Sequence, residues 1–421
     1  MSEPNVPAGP RRAALTFIFV TVLLDILAMG MIIPVLPKIV VSMLDGDTAR
    51  AAGVFGVFST AWALMQFFFS PVLGAVSDRY GRRPVILLSN LGLGLDYILM
   101  ALAPTLGWLF AGRIISGITA ASISTASAYI ADVTPPEKRA ASFGLIGAAF
   151  GVGFVLGPAL GGVLGGVDPR LPFWVSAGLS LANAMYGLFV LPESLPPERR
   201  KAFEWRRANP MGALRLLRSN AEVLRLSSVH FLYQLAHVAL PSVFVLYASY
   251  RFGWDERTVG LTMGGVGLCS GLVQGGLVRP TVKKLGERRA LMLGLFFGAV
   301  GFTIYGLAPT GLVFWFGVPV MALWGLTGPA AQGLMSSRIS PSEQGQFQGA
   351  LSSIMGIAGM IGPGIFTQTF AYFIGPHLGW NLPGAPFLLA ALLLVFAIGL
   401  TRWATSPRPE AAPAPVPSPM A

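Results

Sequence analysis

The sequence predicts an all-α membrane protein with twelve transmembrane helices in two pseudo-symmetric six-helix bundles. Three observations predict it. First, 54% of the 421 residues are hydrophobic and 11% are charged, with a mean hydropathy of +0.67. A soluble domain carries about 25% charged residues, and no surface-to-volume ratio lets a soluble fold of this size hide so much apolar surface. Second, apolar runs near the ~20 residues needed to cross a bilayer recur along the whole chain. Third, the chain repeats at an offset of 205 residues. Gly81 falls on Gly286, Leu102–Thr105 on Leu307–Thr310, Gly144 on Gly349, and Gly157-Pro158 on Gly362-Pro363.

The spans read as 13–37, 53–76, 84–104, 107–131, 141–166, 171–192, 226–250, 258–282, 290–309, 311–336, 346–374 and 384–404. The first run is too long for a signal-peptide core and lacks a small-x-small cleavage site, so it reads as a retained span. The organisation is then a short N-terminus (1–12), a six-helix bundle (13–192), a basic central loop (193–225), a second six-helix bundle (226–404) and a Pro/Ala-rich tail (405–421) expected to be disordered.

Charge sets the orientation. With the N-terminus inside, 23 of the 29 Lys and Arg residues fall on cytoplasmic segments and 5 on external ones. The remaining one, Arg113, lies within span four. This positive-inside bias predicts both termini in the cytoplasm of a cell whose inner membrane holds the protein. It also accounts for the net charge of +11 without a nucleic-acid partner. The partners it leaves are the lipid bilayer, protons and a small-molecule substrate, with the chain acting as a monomer.

Other classes are poorly served. The single cysteine, Cys269, has no disulfide partner in the chain, and His230, His237 and His377 have no metal-ligand spacing. The run Gly151-x-Gly153-x3-Gly157 has the wrong spacing for a dinucleotide loop and lies in an apolar span, and no phosphate-binding loop occurs. Neither an enzyme nor a resident metal or cofactor is expected.

Ionisable groups inside the membrane are functional candidates. Asp25 lies in span one, Asp96 in span three and Arg113 in span four. A carboxylate in a low-dielectric cavity can exchange protons between the two sides, whereas an arginine stays charged. Asp25 is therefore the expected proton carrier, with Arg113 tuning it, and Asp96 a second carrier or a contact for a cationic substrate group. A permanent structural pair of Arg113 with either aspartate is the alternative. In span seven, His230, Gln234, His237 and Pro241 share a helix face, with Tyr233 beside it. Gln234 and His237, with Gln274 of span eight and Gln332 of span ten, are the polar candidates for a substrate cavity. Trp62, Phe67, Phe68 and Trp324 could form an apolar pocket, but their spacing equally suits helix packing or lipid contact.

The loop after span two reads Gly74-Ala-Val-Ser-Asp78-Arg79-Tyr-Gly81-Arg82-Arg83. It resembles the signature loop of the major facilitator superfamily, whose fold is two parallel six-helix halves with a substrate site between them. Gly81 suits a tight turn. The resemblance implies that Asp78 latches one conformation by meeting the N-terminus of span eleven, near 341–346. Pairing with local arginines is the alternative. The string Gly153-x3-Gly157-Pro158-x2-Gly161-Gly162 in span five resembles the antiporter motif of that superfamily. Its glycines at 153, 157 and 161 share one face, which allows close backbone approach.

Local stretches narrow the resemblance to the tetracycline-efflux group: Ile32-Ile33-Pro34-Val35-Leu36-Pro37, Ala111-Gly112-Arg113, Ala128-Tyr129-Ile130-Ala131-Asp132 and Gln344-Gly345-Gln346-Phe347-Gln348-Gly349. This implies a proton-coupled antiporter exporting a small amphiphilic, drug-like molecule. Tetracycline is a candidate, and a metal-chelated drug a possible cargo. Asp25, Asp96 and Arg113 match residues needed for transport in that group. Two group features are missing: Ser270 stands near the group's span-eight histidine, and Gly298 near its span-nine carboxylate. Lys283 stands where Asp78 would repeat. The alternatives are a proton symporter for uptake and a non-transporting membrane sensor.

Overall fold

A computed structural model describes residues 8–404 apart from 121, 136–137, 201–220, 341–342 and 376–380. The tail 405–421, most of the central loop and His377 lie outside the described residues. Among those described there is no strand, and twelve helical spans are long and apolar enough to cross a membrane. They are Leu15–Ser42, Thr48–Tyr80, Arg82–Leu102, Leu106–Val133, Ser142–Gly165, Leu171–Val190, Val223–Phe252, Glu256–Leu285, Glu287–Leu307, Gly311–Ser336, Gln346–Ile374 and Ala385–Ala404. They are numbered one to twelve below.

The 205-residue repeat is visible in the backbone. Span three and span nine are helices of identical length, Arg82–Leu102 and Glu287–Leu307. Each is preceded by a glycine with positive φ, Gly81 at 108° and Gly286 at 77°, a conformation that other residues adopt only with strain. Each ends on an alanine with matching torsions, Ala103 at −56°/116° and Ala308 at −55°/116°.

Three spans are less regular than their apolar runs suggest. Span one stops at Ile32 and resumes over Leu36–Ser42. Pro34 has no N–H to continue the ladder, and short bonds from Ile33 N to Gly30 O and from Val35 N to Ile32 O bridge the break. Span eight contains a π-helical turn at Val273–Leu277, and span ten a 3-10 turn at Leu323–Leu326. These two irregular turns face each other.

The halves meet along two seams, span two against span eleven and span five against span eight. Both seams are tight at the end away from the basic loops. A side chain at Gly56 would collide with Thr367. A Cβ on Gly260 would lie 2.7 Å from the Gly162 Cα. Midway, a Cβ on Gly356 would lie 2.6 Å from the Phe67 ring. Towards the basic loops the seams part. Gly74, Gly144, Gly147 and Gly151 on one half, and Gly271, Gly275 and Gly276 on the other, have no described atom within 4 Å of where a Cβ would stand. The molecule is thus closed on one face and open on the face carrying the basic loops.

Candidate transport site

Asp25 is 7% exposed and lies among spans one, three and six. Asn183 Nδ2 donates to its Oδ1 at 2.9 Å and also reaches the Thr21 carbonyl at 3.0 Å. With its amide turned so that the nitrogen faces the carboxylate, the orientation its neighbours call for, Asn90 lies 3.2 and 3.1 Å from the two oxygens in a forked contact, and its own oxygen 3.0 Å from Asn183 Nδ2. Both asparagines are fully buried.

Asp96 is 1% exposed, packed between spans three and four. It fits only because residue 112 is glycine: a Cβ there would lie 2.9 Å from Asp96 Oδ1. The Ser116 hydroxyl nearby gives its proton to the Arg113 carbonyl, and among the described residues neither Asp96 oxygen has a partner in hydrogen-bond geometry. Arg113 and Asp96 are each other's main electrostatic partner, without an ion pair within 4.0 Å. The Arg113 guanidinium lies over the Trp62 ring at 5.2 Å, a cation–π contact. Arg113 was expected to tune Asp25. The electrostatic partner the structure gives Arg113 is Asp96, and Asp25 is met by Asn183 of span six and Asn90 of span three.

At the basic face, Arg82 is the hub. It meets Asp78 at 2.6 Å, Asp132 at 3.1 Å and the Ser77 hydroxyl at 2.7 Å. The Glu193 carboxylate accepts from the backbone amides of Arg82 (2.9 Å), Arg83 (3.2 Å) and Leu195 (2.9 Å). It thereby satisfies free N–H groups at the start of span three. Arg79 is exposed over Tyr80. Among the described residues Asp78 pairs with Arg82, and residues 341–342, where the start of span eleven was expected to meet it, lie outside the described residues. Lys283 and Lys284 are exposed in the corresponding second loop.

The glycines of span five divide by face. Those at 153, 157 and 161 face span one: Gly153 packs on Ile26, a Cβ on Gly157 would lie 2.9 Å from the Gly30 Cα, and one on Gly161 would strike the Met31 carbonyl. Gly162 faces span eight, against Gly260, and Pro158 lies inside the helix.

In the second half, Tyr233, His237 and Trp324 form an aromatic group, with His237 5.2 Å and Tyr233 5.4 Å from the Trp324 ring. Trp324 sits on the 3-10 turn of span ten and covers Gly298, where a Cβ would lie 2.6 Å from its ring. Gln274, on the π-helical turn, stands against Gly325. His237 and Gln274 therefore converge on the same turn, with Gln234 half-buried beside them. Gln332 lies apart from that group and donates to Gln348 of span eleven at 3.1 Å. Sequence reasoning did not single out Asn90, Asn183 or the hub role of Trp324. A polar amide in an otherwise apolar span was the available signal for the first two.

The family model of the Major Facilitator Superfamily matches residues 18–363. The class C tetracycline resistance protein of Escherichia coli is 38% identical over 93% of this chain and 98% of its own length. The class B protein of Escherichia coli is 33% identical over 93% and 97%. The chain belongs to the tetracycline-efflux group of the major facilitator superfamily. Solved structures of this superfamily carry the same fold. The human organic anion transporter MFSD10 (TETRAN) superposes with a TM-score of 0.68 at 25% identity, covering 94% of this chain and all of its own. A bacterial homologue of the human lysosomal transporter Spinster gives 0.77 at 17% identity, covering 95% and 98%. In this group member, Arg82 gathers the charged groups of the loop after span two, and the glycines of span five form the surface that joins it to span one.

Proposed function

We propose that the chain is a proton-coupled antiporter that exports a small amphiphilic, drug-like molecule by alternating access, with a tetracycline as the first candidate. The observation that carries this reading is the placement of two buried carboxylates, Asp25 and Asp96, in one half of a molecule closed at one face and open at the other. Its relatedness to tetracycline resistance proteins over nearly its full length supports the cargo class. The basic loops mark the open face as cytoplasmic, so substrate enters from the cytoplasm and both termini lie there. The protein works as a monomer in the inner membrane. A chelated cation, where the drug carries one, arrives as part of the cargo.

Asp25 is the proton carrier in this reading. The Asp96–Arg113 couple provides a second protonatable carboxylate beside a fixed positive charge. Gln234, His237 and Gln274, with Tyr233 and Trp324, form the substrate-facing wall of the second half. Opening the other face breaks the seam at Gly162 and Gly260 and closes the basic loops, and Asp78 is then free to meet the start of span eleven. A susceptibility panel in an efflux-deficient host, tetracyclines included, tests the reading. Wild type raises the inhibitory concentration of at least one amphiphile, and Asp25→Asn at equal protein level does not. No change with any compound refutes it.

A further inference from the structure

We infer that a cavity on the closed face, where spans one, two, seven and eight meet, is a binding site for an organic ammonium group, and that its occupant holds that face shut. Such a site lies beyond the proposed export activity and does not depend on the identity of the cargo.

The cavity holds about 310 Å³, at the lower end of the ~300–1,000 Å³ of small-molecule pockets. Three hydroxyls border it, Ser42, Thr48 and Ser249. Each has its proton committed to a backbone carbonyl: Ser42 to Ile39 at 2.8 Å, Thr48 to Gly46 at 3.4 Å and Ser249 to Trp254 at 3.2 Å. What these hydroxyls keep for a ligand is their lone pairs. Glu256 adds a carboxylate to the same lining and meets Lys38 through Oε1 at 3.3 Å. The Lys38 ammonium directs two of its three N–H donors to that oxygen and to the Trp254 carbonyl at 2.9 Å. The wall is therefore rich in acceptors and poor in free donors. Its complement is a group with several N–H donors and a positive charge.

The rest of the lining asks for an organic body. Val41 and Leu246 contribute apolar surface. The Tyr250 side chain is 39% exposed, and its ring is held edge-on to Phe370 at 6.1 Å. An ammonium over such a ring gains a cation–π contact. A bare metal ion would leave these three side chains unused, and an anion would face the Glu256 carboxylate and the hydroxyl lone pairs. An ammonium carried on a small aromatic or aliphatic body suits both parts of the wall. Lys38, Val41, Ser42 and Thr48 belong to the first half and Leu246, Ser249, Tyr250 and Glu256 to the second. The site is therefore complete only while the halves touch. A ligand that binds one of two states shifts the population towards it, so an occupant adds to the Lys38–Glu256 tie.

The test uses the full-length, detergent-solubilised protein with Val41→Cys in a Cys269→Ser background, which keeps every polar group of the lining. Alkylation by N-ethylmaleimide is timed with benzylammonium, and with benzyl alcohol, benzoate and the ammonium ion, which share its body or its charge but not both. Benzylammonium slows labelling by 1 + [L]/Kd, about twofold at a concentration equal to Kd and about tenfold at ten times that. The other three slow it less. Thr48→Val and Ser249→Ala remove acceptors, leave the Lys38–Glu256 tie in place and weaken the protection. Equal protection by all four compounds, no protection by benzylammonium at its highest soluble concentration, or protection that survives both substitutions overturns the site. The closing effect is read at Gly151→Cys in the same background, where a side chain faces open space towards the basic loops. Benzylammonium leaves labelling there as fast or makes it faster. Slower labelling at that position overturns the claim that the occupant holds the opposite face shut. None of these readings involves transport, so their failure is distinct from failure of the export reading.

Discussion

The Lys38 ammonium stands 3.3 Å from the Glu256 carboxylate and donates to the Trp254 carbonyl at 2.9 Å, tying span one to the start of span eight across the closed face. Beside this tie lies a cavity of about 310 Å³ bordered by Ser42, Thr48, Ser249 and Tyr250. In the proposed export cycle it is the point where the halves separate to release substrate outward.

Lys38→Met or Glu256→Gln therefore shifts the population towards the outward-open state. A cysteine placed at Ser249 in a Cys269→Ser background reports this by labelling with a membrane-impermeant maleimide. A partly exposed ion pair is worth ~1 kcal/mol, or about fivefold in a two-state equilibrium. Labelling accelerates by roughly that factor, and the charge-swapped double variant reverses the change in part. Equal rates in all variants contradict the tie.

Arg82 neutralises two carboxylates, Asp78 and Asp132, and its side chain is 10% exposed. Arg82→Ala removes the cation that both carboxylates share. The loss is on the order of 2 kcal/mol, between exposed and buried pairs. It is read as a lower melting temperature of the detergent-solubilised protein. Arg79→Ala, at an exposed site over Tyr80, leaves that temperature unchanged.

Span five offers a paired comparison. A methyl group at Gly157 or Gly161 strikes span one, whereas Gly151 of the same helix faces open space. Gly157→Ala and Gly161→Ala lose drug resistance in cells, the second through collision with backbone that cannot yield. Gly151→Ala keeps it, and its folded protein is more stable by up to ~1 kcal/mol from helix propensity.

Asp255 caps span eight by accepting from the Thr258 amide at 2.8 Å. The Thr258 side chain and backbone amide hold its carboxyl below the usual carboxylate range. With a folded value below the unfolded one, its stabilisation is present above the usual carboxylate range and fades as pH falls through the lower folded value. Asp255→Ala costs about 1 kcal/mol in thermal stability at neutral pH, and Asp255→Asn, itself a good cap, costs little.

Much of this was legible in the residues. The twelve apolar runs and the repeat located the spans, and the backbone torsions at Gly81 and Gly286 and at Ala103 and Ala308 repeat as the sequence does. Glycines on one face of span five marked a close helix contact because their spacing is local. The partners of Asp25 were not legible. Asn183 is 158 residues away, and helix spacing says nothing about which faces of spans one, three and six meet. The partner of Arg113 was open for the same reason, since either aspartate was compatible with its place in span four. Trp324 was indistinguishable from a lipid-facing tryptophan until the 3-10 turn at Leu323–Leu326 directed it inward over Gly298.

Uphill drug accumulation by everted membrane vesicles under an imposed proton gradient tests proton-coupled export most directly. Wild-type vesicles accumulate the drug and release protons in step. Asp25→Asn vesicles equilibrate it without concentrating it, at equal protein level. Concentrative accumulation by Asp25→Asn at the wild-type rate would contradict the account.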